Sequence, residues 1–486
     1  MSNQFENTAR AEKQIDRIRQ AASTVDCSKF FSALYKTNGE SYRLCNLVLQ
    51  GGGTLGIAHL GFLRGLEIAN VRFAGLAGTS AGAIVALLIA AARKDALEEE
   101  VAERLVPILQ TMPAAAFMDG PYLARRFVKF ALEKRRSGFL EYALPALASV
   151  RQLLSRYGLN RGYRFEDWLA QVLSRSFDLD TQQQLDVLLK NVHEKLRRKV
   201  RVVADPEQHS RVARSTSQLD QRRRSIRRLD IGQTSTKSSK LLLLRGTQRS
   251  SIDRPSIENS HLRLLHITAT AMPLGLKIVF PKHAALFHSK YVSRSPALFA
   301  RASMSVPLFF EPLEIDLSQT DWGNFLREPD KADAYSNEVI NSMRQLRALS
   351  FVDGGLLSNF PIDAFLDNEV CGRIPTVGVA LVSAHVSYSS APRGSAAAFA
   401  GFAGATVNAM RHLRDREGLA RAKQLEQVSG KGTKVAFVDT GPHNWLNFNL
   451  PADDMRDLYI RGLAGCADFL ERLSRLETGN AQTDCV

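Results

Sequence analysis

Cysteine is scarce in this chain of 486 residues: five in all, an odd number, at Cys27, Cys45, Cys371, Cys466 and Cys485. They form no C-x-x-C pair and join no Cys/His cluster, so a reducing compartment or adventitious thiols fit better than a disulfide framework. The ten histidines are dispersed, with no H-E-x-x-H and no acidic calcium-loop pattern, so no metal and no cofactor is expected. Aromatic residues make up only 8%. No charged-then-apolar layout opens the chain (MSNQFENTARAEKQ) and no prenylation box closes it (TDCV), so a cytoplasmic protein with peripheral, reversible membrane contact is expected. One uncharged run, residues 73–92 (FAGLAGTSAGAIVALLIAAA), is long enough to cross a bilayer. Its first half is Gly, Ala, Ser and Thr, and a strand followed by a buried helix fits it better.

What remains is ordinary globular composition, 45% apolar and 23% charged, with ample length for a sizeable core in one large domain or two to three smaller ones. The net charge of +15 is concentrated. Residues 195–254 hold 17 Lys/Arg against five acids, including KLRRKVR and QRRRSIRRLD among many Ser, Thr and Gln. Such a stretch buries little apolar surface, and it reads as a basic, low-complexity insertion at 195–255. It is either a solvated loop with no partner or, by its charge, a surface for an anionic membrane; no aromatics interleave the arginines, so nucleic acid is not expected as a partner.

The flanking segments read as folded: a helical lead-in at 1–43, a first globular part at 44–194, a second at 256–475 and a tail at 476–486. Short apolar runs at 44–50, 262–271, 275–280, 350–352 and 376–383 alternate with helical patterns at 57–70 and 83–94 and across much of 95–195. This predicts an α/β sheet covered by helices. Helices in 95–190 could form a cap over a cleft, with Phe127 and Trp168 as apolar contacts, or simply pack in the core.

Three short motifs carry chemistry. Gly51-Gly52-Gly53-Thr54-Leu55-Gly56 follows a strand and opens a helix, where backbone N–H groups point at developing negative charge. It is no phosphate loop, because Ile57-Ala58 stands where Lys-Ser/Thr is required. As a dinucleotide fingerprint it lacks the acid expected near residues 71–75 (VRFAG). Gly78-Thr79-Ser80-Ala81-Gly82 is G-x-S-x-G in a strand–turn–helix setting, the layout of a nucleophile elbow, although a serine there could instead cap the helix. Asp353-Gly354-Gly355 closes a β-prone run and supplies a carboxylate, or else only a tight turn.

Together these residues resemble the patatin-like phospholipase family: GGGTLG its oxyanion loop, GTSAG its elbow, DGG-x-x-x-N-x-P its aspartate segment, and ARASMSVPLFFEP (300–312) a stretch beside the site. The last strand and helix, FVDTGPHNWLNFNLPADDMRDLYIRGLAGCADFL, are similar too. The resemblance implies a three-layer α/β/α fold with a central, mostly parallel sheet and a helical cap. It implies a Ser80–Asp353 dyad acting on lipid acyl esters, phospholipase A-type, without an essential histidine. Gly51, Gly52 and Gly53 would form the oxyanion hole, supported by Gly56, Gly78, Gly82, Gly354 and Gly355. One departure is Leu55, where the family often carries Arg or Lys. The competing chemistry is a Ser–Asp–His triad, for which His385, His412 and His443 follow Asp353 in order. A catalytically inert lipid-binding protein is the third possibility. A protein or ligand activator would suit an enzyme able to damage membranes, but no residue identifies one.

Overall fold

The computed structural model describes residues 5–25, 30–122, 155–202, 257–284, 293–318, 337–365, 370–382 and 433–477 apart from 444 and 446, with isolated positions between these stretches. In chain order the elements are α1 (Ala9–Val25), β1 (Ala33–Thr37), β2 (Glu40–Leu49), α2 (Ile57–Ile68), β3 (Val71–Thr79), α3 (Ala81–Arg93), α4 (Ala102–Gln110), β4 (Gly158–Asn160), α5 (Tyr163–Phe177), α6 (Gln182–Lys199) and β5 (Val200–Val202). They continue with β6 (Leu265–Met272), β7 (Leu276–Phe280), α7 (Ala297–Ser303), β8 (Leu308–Phe310), β9 (Leu313–Asp316), α8 (Asn337–Gln345), β10 (Ala348–Asp353), α9 (Gly355–Ser358), β11 (Thr376–Val382), β12 (Thr433–Asp439) and α10 (Ala452–Glu477).

The main sheet runs β12-β11-β2-β3-β6-β10-β9. Its centre, β12 to β6, is parallel, and β10 and β9 are added antiparallel. All nine residues of β3 are buried, as they must be in a central strand whose two faces are both covered. Residues 73–92 are therefore divided between most of β3, a turn and most of α3. Every side chain of α3 is buried, which accounts for its apolarity without a bilayer. No helix among the described residues is long and apolar enough to cross a membrane.

The position of the site follows from pairing along β6. Thr268 is opposite Thr79 of β3 on one side and Val279 of β7 on the other, while Ala269 is opposite Asp353 of β10 on one side and Ile278 of β7 on the other. Since β7 occupies one edge throughout, β3 and β10 share the other. They approach from opposite directions, and their C-terminal ends meet at Thr268–Ala269. Two turns that are distant in sequence are thereby brought together.

The structure moves two sequence boundaries. The lead-in is part of the main fold: β1 pairs with β2 and β5, and α1 lies on α10, with Arg17 bridging to Glu471 at 2.9 Å and Asp468 at 2.7 Å. Residues 195–202, assigned by charge to the insertion, complete α6 and form β5. A capping box of Thr181 and Gln184 starts α6, whose buried face is Leu185, Leu189, Val192 and Leu196. Arg197, Arg198 and Lys199 occupy its last turn, where positive charge meets the negative end of the helix dipole. The rest of the basic stretch lies outside the described residues. Of the two proposed cap contacts, Trp168 packs on Phe117 at 5.5 Å and Phe165 at 6.2 Å against the core, and Phe127 lies outside the described residues.

Candidate active site

Ser80 sits between β3 and α3 with φ 52° and ψ −118°, a conformation that costs a non-glycine residue about 1–3 kcal/mol. Its hydroxyl makes no capping bond to α3, which removes the helix-cap explanation. The small neighbours are obligatory here. A Cβ on Gly78 would fall 2.2 Å from the Gly82 carbonyl oxygen, and one on Gly82 would fall 2.3 Å from that of Leu49. The elbow motif is thus dictated by backbone against backbone.

Asp353 ends β10 across the same small pocket, which is lined by Gly53, Ser80, Val306, Pro307, Asp353, Gly355, Leu356, Asn359 and Trp445. Ser80 and Asp353 are only 5% and 7% exposed. The Asp353 carboxylate accepts the Gly355 amide at 2.7 Å, and its own amide donates to the Ser305 carbonyl at 2.8 Å. Gly354 lies so close to β6 that a Cβ would meet the Thr268 carbonyl at 2.1 Å. A hydrogen bond from the Thr79 hydroxyl to the Ser358 carbonyl, 2.7 Å, ties the two turns together.

The glycine loop covers this pair. Gly51 is used as an anchor: its amide donates to the Asn359 carbonyl at 3.1 Å. Gly53 has φ +56°, and its carbon faces the Trp445 carbonyl, 2.2 Å from where a Cβ would be. Leu55 is 6% exposed and belongs to the apolar core, so this chain puts no charge at that position of the loop. Beneath it, His59 is fully buried with Nε2 2.8 Å from the Gln50 carbonyl, and burial pushes its pKa down to about 4. The neutral ring donates to the residue just before the loop.

Residues 300–312 lie against the site. Arg301 is 3% exposed and donates to the Ser305 hydroxyl, the Arg161 carbonyl at 2.6 Å and the Glu311 carbonyl at 2.8 Å. Burial lowers its pKa against the pull of Glu166, Asp119 and Glu311, and burial raises that of Glu166. Ser303 receives the Ser80 amide at 2.8 Å. Sequence reasoning flagged this stretch only by resemblance, and it missed Ser303, Arg301 and Trp445 because their contacts are long-range.

Of the three triad histidines, His385 and His412 lie outside the described residues. His443 is engaged elsewhere, with Nε2 3.0 Å from Asp457 on α10. Against the upward effect of burial, hydrogen bonds from Arg461 and His443 hold the Asp457 carboxyl below its usual range. Among the described residues no group of three or more His, Cys, Asp or Glu is placed to hold a metal ion.

The sequence profile of patatin-like phospholipases matches residues 47–366, well over half of the chain. The protein is accordingly a hydrolase of the esterase class on a three-layer α/β fold. It belongs to the patatin-like phospholipase family, and membership implies lipid acyl esters as substrates. A search of curated proteins gave no match. Among solved structures, VipD from Legionella pneumophila is similar over 92% of this chain and 70% of its own, at 15% identity and a TM-score of 0.34, too loose a likeness to bear on fold or chemistry.

Proposed function

We propose that the protein is a phospholipase A-type acyl hydrolase using a Ser80–Asp353 dyad. One observation carries this: a serine held at a strained elbow shares a small pocket with a buried carboxylate and the glycine loop. Asp353 takes the hydroxyl proton as Ser80 Oγ bonds to the ester carbonyl carbon. The carbon–oxygen ester bond then breaks, the lysolipid oxygen receives that proton, and the acyl group remains on Ser80. Water, deprotonated by Asp353, attacks the acyl-enzyme, releases the fatty acid and returns the proton to Ser80.

The amides of Gly52 and Gly53 serve as oxyanion donors, each worth roughly 2.7–4 kcal/mol of barrier. Val306, Pro307, Leu356 and Trp445 give the pocket an apolar wall suited to an acyl chain. The enzyme acts in the cytoplasm and meets anionic membranes reversibly through the arginines of the basic stretch.

The test is fatty-acid release from mixed anionic phospholipid vesicles by wild type, Ser80→Ala, Asp353→Asn and alanine variants of His385, His412 and His443. Release by wild type, lost in the first two variants and kept in the histidine variants, supports the dyad. Loss of several orders of magnitude in one histidine variant would replace it with a triad.

A further inference from the structure

Ser303 stands at the junction of three elements. It is the last residue of α7 and is fully buried. Its hydroxyl donates to the Thr268 carbonyl at 2.6 Å, so its single proton is committed to β6. The remaining lone pairs are left to accept, and the Ser80 amide donates to the same oxygen at 2.8 Å. On the other side, the Ser303 carbonyl accepts the Gly354 amide at 3.3 Å. One residue thus touches the nucleophile, the strand between the two turns, and the turn that carries Asp353.

We infer that Ser303 is a positioning residue: it locks Ser80 in its strained conformation and in register with Asp353. This rests on the acyl-hydrolase mechanism proposed above. The first turn of α3 has no partner of its own for the Ser80 amide, because that amide precedes the helix. Without an acceptor, the buried N–H would be orphaned and φ 52° would have nothing to hold it. The required group must accept from Ser80 and donate to Thr268 through one atom. A hydroxyl meets both demands, and no aliphatic residue does. The contact also commits the Ser80 amide, which is thereby removed from the set of oxyanion donors.

Three full-length proteins decide the matter: wild type, Ser303→Ala and Ser303→Thr. Hydrogen exchange at the Ser80 amide tests the contact without reference to catalysis. Rates of fluorophosphonate labelling at Ser80, and kcat and KM on a soluble ester, test the positioning. Ser303→Ala is expected to speed exchange of the Ser80 amide at least tenfold, and to lower labelling and kcat about 10–100-fold with KM within about twofold. Ser303→Thr is expected to restore protection and most of kcat.

Should the alanine variant fail to fold, Ser303→Cys, with a weaker acceptor of similar size, is expected to fall between wild type and inactivity. Wild-type exchange and kcat in Ser303→Ala overturn the inference. So does a loss of activity that only tracks the folded fraction and that threonine does not rescue. A wild-type protein that neither labels nor hydrolyses overturns the hydrolase mechanism instead, and the exchange measurement alone then decides the Ser303 contact.

Discussion

Thr54 gives both its amide, at 3.0 Å, and its hydroxyl, at 3.1 Å, to the carbonyl oxygen of Trp445. A loop near the end of the chain therefore supports the glycine loop near its beginning. The supporting loop is itself held by Phe448, which stacks on Phe309 at 4.8 Å beside the pocket-lining Val306 and Pro307. In the proposed mechanism this arch places the oxyanion donors, since the glycines have no side chains with which to place themselves.

Substitution at the arch should separate activity from folding. Thr54→Val keeps the shape and loses the hydroxyl bond, at about 1 kcal/mol in stability, with a few-fold fall in kcat. Gly53→Ala drives a methyl into the Trp445 carbonyl and forces an alanine to positive φ, so kcat should fall about 100-fold or more while far-ultraviolet dichroism is retained. Steady-state ester hydrolysis and urea melts on both variants check this. Equal activity in Gly53→Ala would mean that the loop is not the oxyanion site.

Arg301 should matter to stability through the groups it leaves behind. Arg301→Met preserves bulk but leaves the Arg161 and Glu311 carbonyls without their donor and Glu166 without its neutralising charge. A loss of about 3–5 kcal/mol is expected in denaturant unfolding. A change within 0.5 kcal/mol, the range of about a surface substitution, would show the cluster to be dispensable.

His59 predicts acid sensitivity. Its folded pKa, about 4, is below the ordinary value of 6.5, so between these values the unfolded chain binds more protons. Its contribution is fully present above pH 6.5 and is lost as pH falls toward 4, up to about 3 kcal/mol. Urea melts of wild type and His59→Gln should therefore differ most at pH 7.5 and converge by pH 4.5. Parallel stability curves for the two proteins would remove the effect.

The basic stretch should act on membranes rather than on chemistry. Replacing Arg222, Arg223, Arg224, Arg227 and Arg228 by Gln should weaken binding to anionic vesicles and flatten its salt dependence. Hydrolysis of a soluble short-chain ester should stay unchanged. Unaltered vesicle sedimentation in the five-fold variant would assign the membrane contact to another surface.

The elements and the two turns that carry Ser80 and Asp353 were legible because local backbone rules write themselves into sequence. Gly78, Gly82 and Gly354 are there because a Cβ would strike a carbonyl, and such positions show as G-x-S-x-G and D-G-G. The strands announced themselves as apolar runs, and β2, β6, β7, β10 and β11 all fall on them. Ser303 and Trp445 left no such trace, since their partners, Ser80 and Thr54, are set by β6 pairing and by the final segment. Charge also misled: Arg197, Arg198 and Lys199 look like the start of a solvated run, yet they end a helix whose buried side repeats at 185, 189, 192 and 196. Composition over a window cannot separate a helix's polar face from a loop.

The meeting of β3 and β10 on one edge of β6 also sets an order of events during synthesis. A growing chain that has emitted Ser80 carries the proposed nucleophile on an unfinished sheet, because β6 begins only at Leu265 and Asp353 follows later still. The Trp445 arch and α10, which packs on α2, come last of all. Ribosome-bound intermediates therefore hold the parts of the proposed site in separate pieces, and a truncated translation product ending before residue 353 lacks the proposed base entirely. Latency of this kind needs no inhibitor; it is written into the connectivity.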